Sequence, residues 1–148
     1  MGTPLKDFKE NMVHLSNASA CNVVGIHSPT RGFGIDIKHA MHAIFDYHAD
    51  ESVRLLQGAL RDFFKASDES AIALLFTNSR GGAYSRNALY DMERNLSKKV
   101  WLVPFASAAY TPLDICYRVT HYESSRDFVT HFDRSGRKRC QNTIVTLK

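Results

Sequence analysis

The clearest pattern in the chain is a pair of apolar runs separated by a polar, glycine-rich segment. Residues 70–76 and 99–105 are predominantly apolar and of strand length. Between them, a segment from about Arg86 to Leu96 has helical periodicity. A strand, a turn, a helix and a second strand form the repeating unit of a parallel α/β sheet. The sequence therefore predicts two parallel central strands with a turn at the carboxyl end of the first.

The amino-terminal part predicts more elements of the same kind. Thr3-Pro4 is a helix start, and apolar residues follow it at helical spacing. The short apolar run 21–27 predicts a third central strand. A helix is expected from about Asp36, and Asp50 is expected to cap the next one.

The last third of the chain supports two alternatives. Strict alternation of apolar and polar residues over 113–120 favours a strand, whereas Thr111-Pro112 favours a helix, and the choice for 113–122 stays open. Residues 127–133 and 139–147 predict a hairpin across Arg134-Ser135-Gly136. The expected fold is α/β (or α+β): a three-layer sandwich with a mainly parallel central sheet, helices on both faces, and a C-terminal antiparallel hairpin at one edge.

The composition is that of a soluble globular protein. The 148 residues are 44% apolar and 23% charged, which predicts one globular domain over 1–148. The three cysteines form no CxxC pair, and the amino terminus lacks an apolar signal segment. We therefore expect a cytoplasmic protein in a reducing compartment.

Positive charge is concentrated at the carboxyl end. Residues 118–148 carry seven Lys/Arg against three Asp/Glu, and this excess equals the whole net charge of +4. Such asymmetry suggests an anionic partner, although a solvated basic edge would look the same. The candidate residues for an acidic partner or nucleic acid are Arg134, Arg137, Lys138 and Arg139.

The glycine-rich turn is the main candidate for a ligand site. Glycines let backbone N–H groups approach an anion, and arginines add charge-assisted hydrogen bonds. A second loop, 28–34, should lie at the same end of a parallel sheet, so its Arg31 is expected to share a crevice with Arg80. The candidate ligand-binding residues are Arg31, Gly32, Ser79, Arg80, Gly81, Gly82, Ser85 and Arg86.

Catalytic and metal-binding patterns are weaker. His39, His42 and Asp46 share one helical face, but the sequence suggests no further ligands, so no metal or cofactor is predicted. Ser107 follows a strand, yet the motif GxSxG is absent, and no cysteine has an evident histidine partner.

Several short motifs resemble the caspase family. Ser79-Arg80-Gly81 and Phe105-Ala106-Ser107 stand where that family has Ser-His-Gly and Gln-Ala-Cys at strand ends. Gly34-Ile35-Asp36 resembles the family's Gly-Thr-Asp before its first helix, and 132–137 with 143–147 resembles the end of a small subunit. Because Arg80 and Ser107 replace the catalytic pair, the resemblance implies a proteolytically inactive relative that works by binding.

The leading functional expectation is a non-catalytic regulatory domain. It would bind an anionic small ligand or an acidic protein segment through loops 28–34 and 78–86, with no membrane partner; a homo-oligomer is also considered. One alternative is an enzyme acting on a phosphorylated or nucleotide-like substrate, with His27 as general base. The other is nucleic-acid binding through the basic C-terminal hairpin.

Overall fold

The computed structural model describes residues 4–27, 51–126 and 128–148. The chain divides into two compact units, Met1–His39 and Ala40–Lys148, which are described separately below. A single domain over 1–148 stays a prediction.

The first unit contains one described helix, α1, over Leu5–Ser19. It starts after Pro4 and ends at Ala20, whose φ of 52° and ψ of 30° are left-handed. The strand predicted over 21–27 is wrong, because residues 22–27 are irregular and Val24 is 84% exposed. The segment packs on α1 instead: a Cβ on Gly25 would lie 2.1 Å from Met12 Sδ. Its apolar residues therefore do not indicate a place in a sheet.

The second unit contains the remaining described helices and all the described strands. Its helices are α2 (Glu51–Ala66), α3 (Arg80–Tyr90), α4 (Arg94–Ser97) and α5 (Arg134–Arg139). Single turns of 3₁₀ helix cover Leu113–Ile115, Phe128–His131 and Gln141–Thr143. The strands are β1 (Ala73–Asn78), β2 (Val100–Phe105), β3 (Arg118–Val119), β4 (His121–Ser124) and β5 (Ile144–Leu147). No described helix is both long and apolar enough to cross a bilayer.

The strands form one sheet in the order β1-β2-β4-β5, with β3 also paired to β2. Every pairing among them is parallel. The predicted α/β fold with a mainly parallel sheet is therefore confirmed, and the runs at 70–76 and 99–105 correspond to β1 and β2. The open choice over 113–122 resolves into a 3₁₀ turn followed by two short strands.

The two faces of the sheet differ in burial. Ala73 of β1 and its partner Val100 of β2 are buried on one face, where α2 and α3 pack against β1 and against each other. Helix α2 buries Val53, Leu56 and Leu60 at helical spacing, whereas Phe63 near its end is 42% exposed. On the opposite face Leu74, Phe76 and Phe105 are each more than one-third exposed. The helix predicted from about residue 36 lies outside the described residues.

The predicted C-terminal antiparallel hairpin is wrong. Residues 134–139 form α5, and β5 pairs with β4 in parallel, so α5 lies within the crossover between these strands. The reason is helix capping: the Asp133 side chain accepts a hydrogen bond of 2.8 Å from the Gly136 N–H. A Cβ on Gly136 would lie 2.1 Å from Asp133 Oδ2. This glycine therefore permits a close capping contact and does not form a hairpin turn.

Candidate functional site

The connection between β1 and α3 is a single residue, Ser79. Strand β1 ends at Asn78 and α3 begins at Arg80, so the glycine-rich turn predicted over 79–82 is wrong. Gly81 and Gly82 belong to the first turn of the helix. The chain therefore reverses direction sharply at one serine.

Ser79 has a strained backbone conformation. Its φ of 52° with ψ of −119° lies in a region that residues with a Cβ rarely adopt, at a cost of about 1–3 kcal/mol. Hydrogen bonds fix it there: its N–H donates to Phe105 O at 3.0 Å, and its carbonyl accepts from Gly82 and Ala108, each at 3.1 Å. The Ser79 conformation is thus held by β2 and by the helix that it begins.

The Ser79 hydroxyl is not used in the structure as a helix cap. The side chain makes no capping hydrogen bond to α3. The residue is half-buried. A serine at a helix start ordinarily caps the helix, so Ser79 departs from the usual pattern at this position.

Small residues allow the chain to pass closely around this serine. A Cβ on Gly82 would lie 1.9 Å from Ser107 Oγ, and one on Gly81 would lie 3.7 Å from Thr77 Cβ. Thr77 and Gly81, two residues before and two after Ser79, therefore face each other. Ser107 is buried, and its hydroxyl bonds the backbone of Ala109.

Ser79 lies at the edge of the sheet where parallel strands end. The end of β2 bonds Ser79 through Phe105, and the next residue, Ala106, donates to Tyr122 of β4 at 2.9 Å. In open parallel sheets, sites form outside these carboxyl ends. The sequence predicted a ligand site at this turn. The turn itself differs from the predicted one, because it consists of Ser79 alone.

The predicted ligand-binding residues have diverse surroundings. Arg80 is half-buried, with its guanidinium carbon 5.5 Å from the centre of the Tyr84 ring. Gly82, Ser85 and Arg86 are buried, and Arg86 bonds Asp133 in the interior. Arg31, Gly32 and the rest of loop 28–34 lie outside the described residues. The expected convergence of Arg31 and Arg80 stays a prediction.

Neither of the two described histidines of the second unit, His121 and His131, bonds Ser79. His121 is 1% exposed, and its Nε2 accepts the Thr111 N–H at 3.1 Å. Burial lowers the pKa of His121 to about 4, although nearby Glu123 opposes the shift. His131 is exposed in the 3₁₀ turn before α5. His27, the expected general base of the enzyme alternative, belongs to the first unit and lies against Phe8.

A buried carboxylate on β4, Glu123, was not predicted as a functional residue. It accepts hydrogen bonds from the Tyr110 hydroxyl and from Arg137, whose Nη2 is 2.5 Å and Nε 3.2 Å away. Burial alone would raise the pKa of Glu123, but the bonds from Arg137 and Tyr110 lower it below its usual value. The alternation of β4 residues, which turns His121 and Glu123 to the core, was the available signal.

The four candidate residues for an acidic partner or nucleic acid lie on α5. Arg134, Arg137 and Lys138 line a pocket that also includes His131 and Gln141, whereas Arg139 is not part of its lining. Within the described ranges, no cluster of three His, Cys, Asp or Glu residues suits a metal ion. His39, His42 and Asp46, which share one predicted helical face, lie outside those ranges.

Comparisons with known proteins identify no relative. The chain matches no protein-family model, no curated protein and no solved structure. The resemblance to caspases therefore has no support beyond its short motifs.

Proposed function

We propose that Ser79 is the nucleophile of an acyl-transfer centre, and that the protein hydrolyses an ester or a related acyl compound. The observation that supports this is the strained serine between a parallel strand and a helix. In α/β-hydrolases this geometry, the nucleophile elbow, exposes a serine at the top of the sheet. The sequence Ser79-Arg80-Gly81 supplies the second half of GxSxG, and Thr77 replaces the first glycine.

The chemistry follows from the position of Ser79. Its Oγ would attack the substrate carbonyl carbon while a general base takes the hydroxyl proton. The resulting oxyanion would accept hydrogen bonds from backbone N–H groups, of which the one after the nucleophile, on Arg80, is the usual donor. The positive end of the 11-residue helix α3 would favour the same negative charge. Collapse breaks the C–O bond, and the base gives its proton to the departing alcohol. Water, deprotonated by the same base, then attacks the acyl-serine, which releases the acid and returns the proton to Ser79 Oγ.

The proposal names the nucleophile and not the base. His121 is bonded to Thr111, and His131 makes no hydrogen bond to Ser79. The base is therefore expected from residues other than these two.

The binding function expected for loops 28–34 and 78–86 stays a prediction, as do an intracellular location, a homo-oligomer and the acidic or nucleic-acid partners. The thiols of Cys21, Cys116 and Cys140 are free, which supports a reducing compartment.

Reaction with a serine-directed fluorophosphonate tests the proposal. The intact protein should gain one adduct, and peptide mass spectrometry should locate it on Ser79. Ser79→Ala should abolish labelling. Ser124→Ala is the matched control, because Ser124 ends β4 and is only part-buried.

Labelling of Ser79→Ala at the wild-type rate would contradict the proposal. So would a wild-type protein that gains no adduct under conditions in which a reference esterase is fully modified. Loss of labelling in Ser124→Ala as well would indicate general disruption rather than a role for one hydroxyl. Circular dichroism of each variant distinguishes that case.

A further inference from the structure

A pocket of about 540 Å³ lies between α5 and β5. Its wall is formed mainly by polar side chains of α5 and the adjoining 3₁₀ turns, and Ile144 and Thr146 of β5 contribute to the lining. A volume of this size is within the range of small-molecule sites, about 300–1,000 Å³. None of the lining residues belongs to the β1–α3 turn.

Helical spacing brings the cations of the pocket together. Arg134, Arg137 and Lys138 stand at i, i+3 and i+4, and Gln141 follows at i+7, so they share one side of α5 and its extension. All three cations are exposed. His131 lines the pocket from the preceding 3₁₀ turn.

Only one of these cations is neutralised by a described carboxylate. Glu123 bonds Arg137, whereas Arg134 and Lys138 form no ion pair with any residue in 4–27, 51–126 or 128–148. The side chain of Glu123 is 4% exposed, whereas that of Arg137 is 44% exposed. The carboxylate of the pair is therefore buried, and the arginine is accessible to solvent in the pocket. Within the described part of the chain, the pocket therefore carries two cations without a paired carboxylate and one arginine that is held in place.

We propose that this pocket binds a small molecule through a phosphate or pyrophosphate group. A doubly charged group matches the excess of positive charge. Planar guanidinium groups bind phosphate oxygens in pairs, and a lysine adds a point charge. Because Glu123 already fixes Arg137, less side-chain entropy is lost when an anion binds.

The concave shape favours a compact anion over a nucleic-acid strand. Sequence-tolerant binding of single strands uses a long basic groove with aromatic rings on which successive bases stack. Among the described residues, no Phe, Tyr or Trp side chain lines this pocket, and the nearby Phe128 and Phe132 rings pack edge to face with each other, 5.8 Å apart.

Calorimetric titration with pyrophosphate at low ionic strength tests the site. The double variant Arg134→Gln/Lys138→Gln should weaken binding about tenfold or more, since it removes two of the three cations that line the pocket. The matched control is Arg126→Gln/Arg139→Gln, which removes the same charge at exposed positions outside the pocket lining. Its affinity should change less than about twofold.

Equal weakening in the two double variants would overturn the proposal, because attraction would then depend on total charge alone. Absence of binding to the wild-type protein would overturn it too. Oligothymidylate that binds tightly and is not displaced by pyrophosphate would favour a nucleic-acid surface instead. Unchanged thermal unfolding of both variants should accompany the expected result.

Discussion

Arg86 Nη1 lies 3.2 Å from Asp133 Oδ2, and both side chains are almost completely buried. The same carboxylate accepts the Tyr110 N–H at 3.0 Å and the Gly136 N–H at 2.8 Å. Asp133 thus connects α3, the segment after β2 and α5. Arg86, which the sequence suggested as a ligand-binding residue, joins helix α3 to the C-terminal crossover.

Replacement of Arg86 by Ala should therefore destabilise the protein strongly. The change leaves the Asp133 carboxylate buried without its charge partner, which costs about 3–5 kcal/mol. Urea unfolding followed by circular dichroism measures the effect. Arg80→Ala is the comparison, because Arg80 lies six positions earlier on the same helix and is only half-buried; it should cost less than about 1 kcal/mol. A similar loss in the free energy of unfolding for both variants would mean that the buried Arg86–Asp133 ion pair contributes no more to stability than a surface arginine.

The central part of the fold could be predicted because its signals are local. Residues 70–76 and 99–105 are apolar runs of strand length, and the helix between them begins after polar residues. The run at 21–27 has a similar composition, yet it packs on α1. Composition alone does not distinguish an apolar segment that pairs with a strand from one that packs against a helix.

The sequence predicted a glycine-rich turn after β1, and the structure has a one-residue connection there instead. The sequence locates a polar turn after β1, but nothing in it indicates a positive φ at Ser79, which depends on bonds to Phe105 and Ala108. The roles of Arg86 and Arg137 also depend on distant carboxylates, Asp133 and Glu123. Charge patterns along a chain do not show which arginines have buried partners.

Replacing Gly82 tests the close packing beside the candidate nucleophile, and replacing Gly58 provides the control. Gly82→Ala should cost about 2 kcal/mol, because its Cβ would lie 1.9 Å from Ser107 Oγ and 2.8 Å from Ser107 Cβ. Gly58 of α2 has no atom within 4 Å of an added Cβ, so Gly58→Ala should stabilise by about 0.5–1 kcal/mol. Thermal and urea unfolding measure both, and a Gly82→Ala variant as stable as wild type would disprove the close approach.

Because the backbone of Ser79 is strained, we expect the protein to be more stable with glycine at this position. Ser79→Gly should raise the free energy of unfolding by about 1 kcal/mol, since glycine adopts positive φ without a steric penalty. It should also abolish fluorophosphonate labelling. Ala59→Gly, within α2, provides the opposite control and should lose about 1 kcal/mol. A destabilised Ser79→Gly protein would show that the serine side chain supports the fold.

Burial of His121 predicts a pH-dependent loss of stability. Because burial lowers the pKa of His121 from 6.5 to about 4, the unfolded chain binds its proton first as the pH falls. The contribution is fully present above pH 6.5 and declines below it. Between pH 6.5 and 5 the free energy of unfolding should fall by about 2 kcal/mol from this residue. Urea unfolding at a series of pH values measures the decline.

Two variants separate His121 from the other groups that titrate as the pH falls. His121→Asn should be less stable than wild type at pH 7, because an amide does not reproduce the ring packing against Tyr110, 5.0 Å between ring centres. Its stability should nevertheless change much less between pH 6.5 and 5. The exposed His131→Asn variant should keep the full wild-type decline. Glu123 does not interfere in this window, because its pKa is already lowered by Arg137 and Tyr110 despite burial. A wild-type decline that persists in His121→Asn would assign the pH dependence to another group.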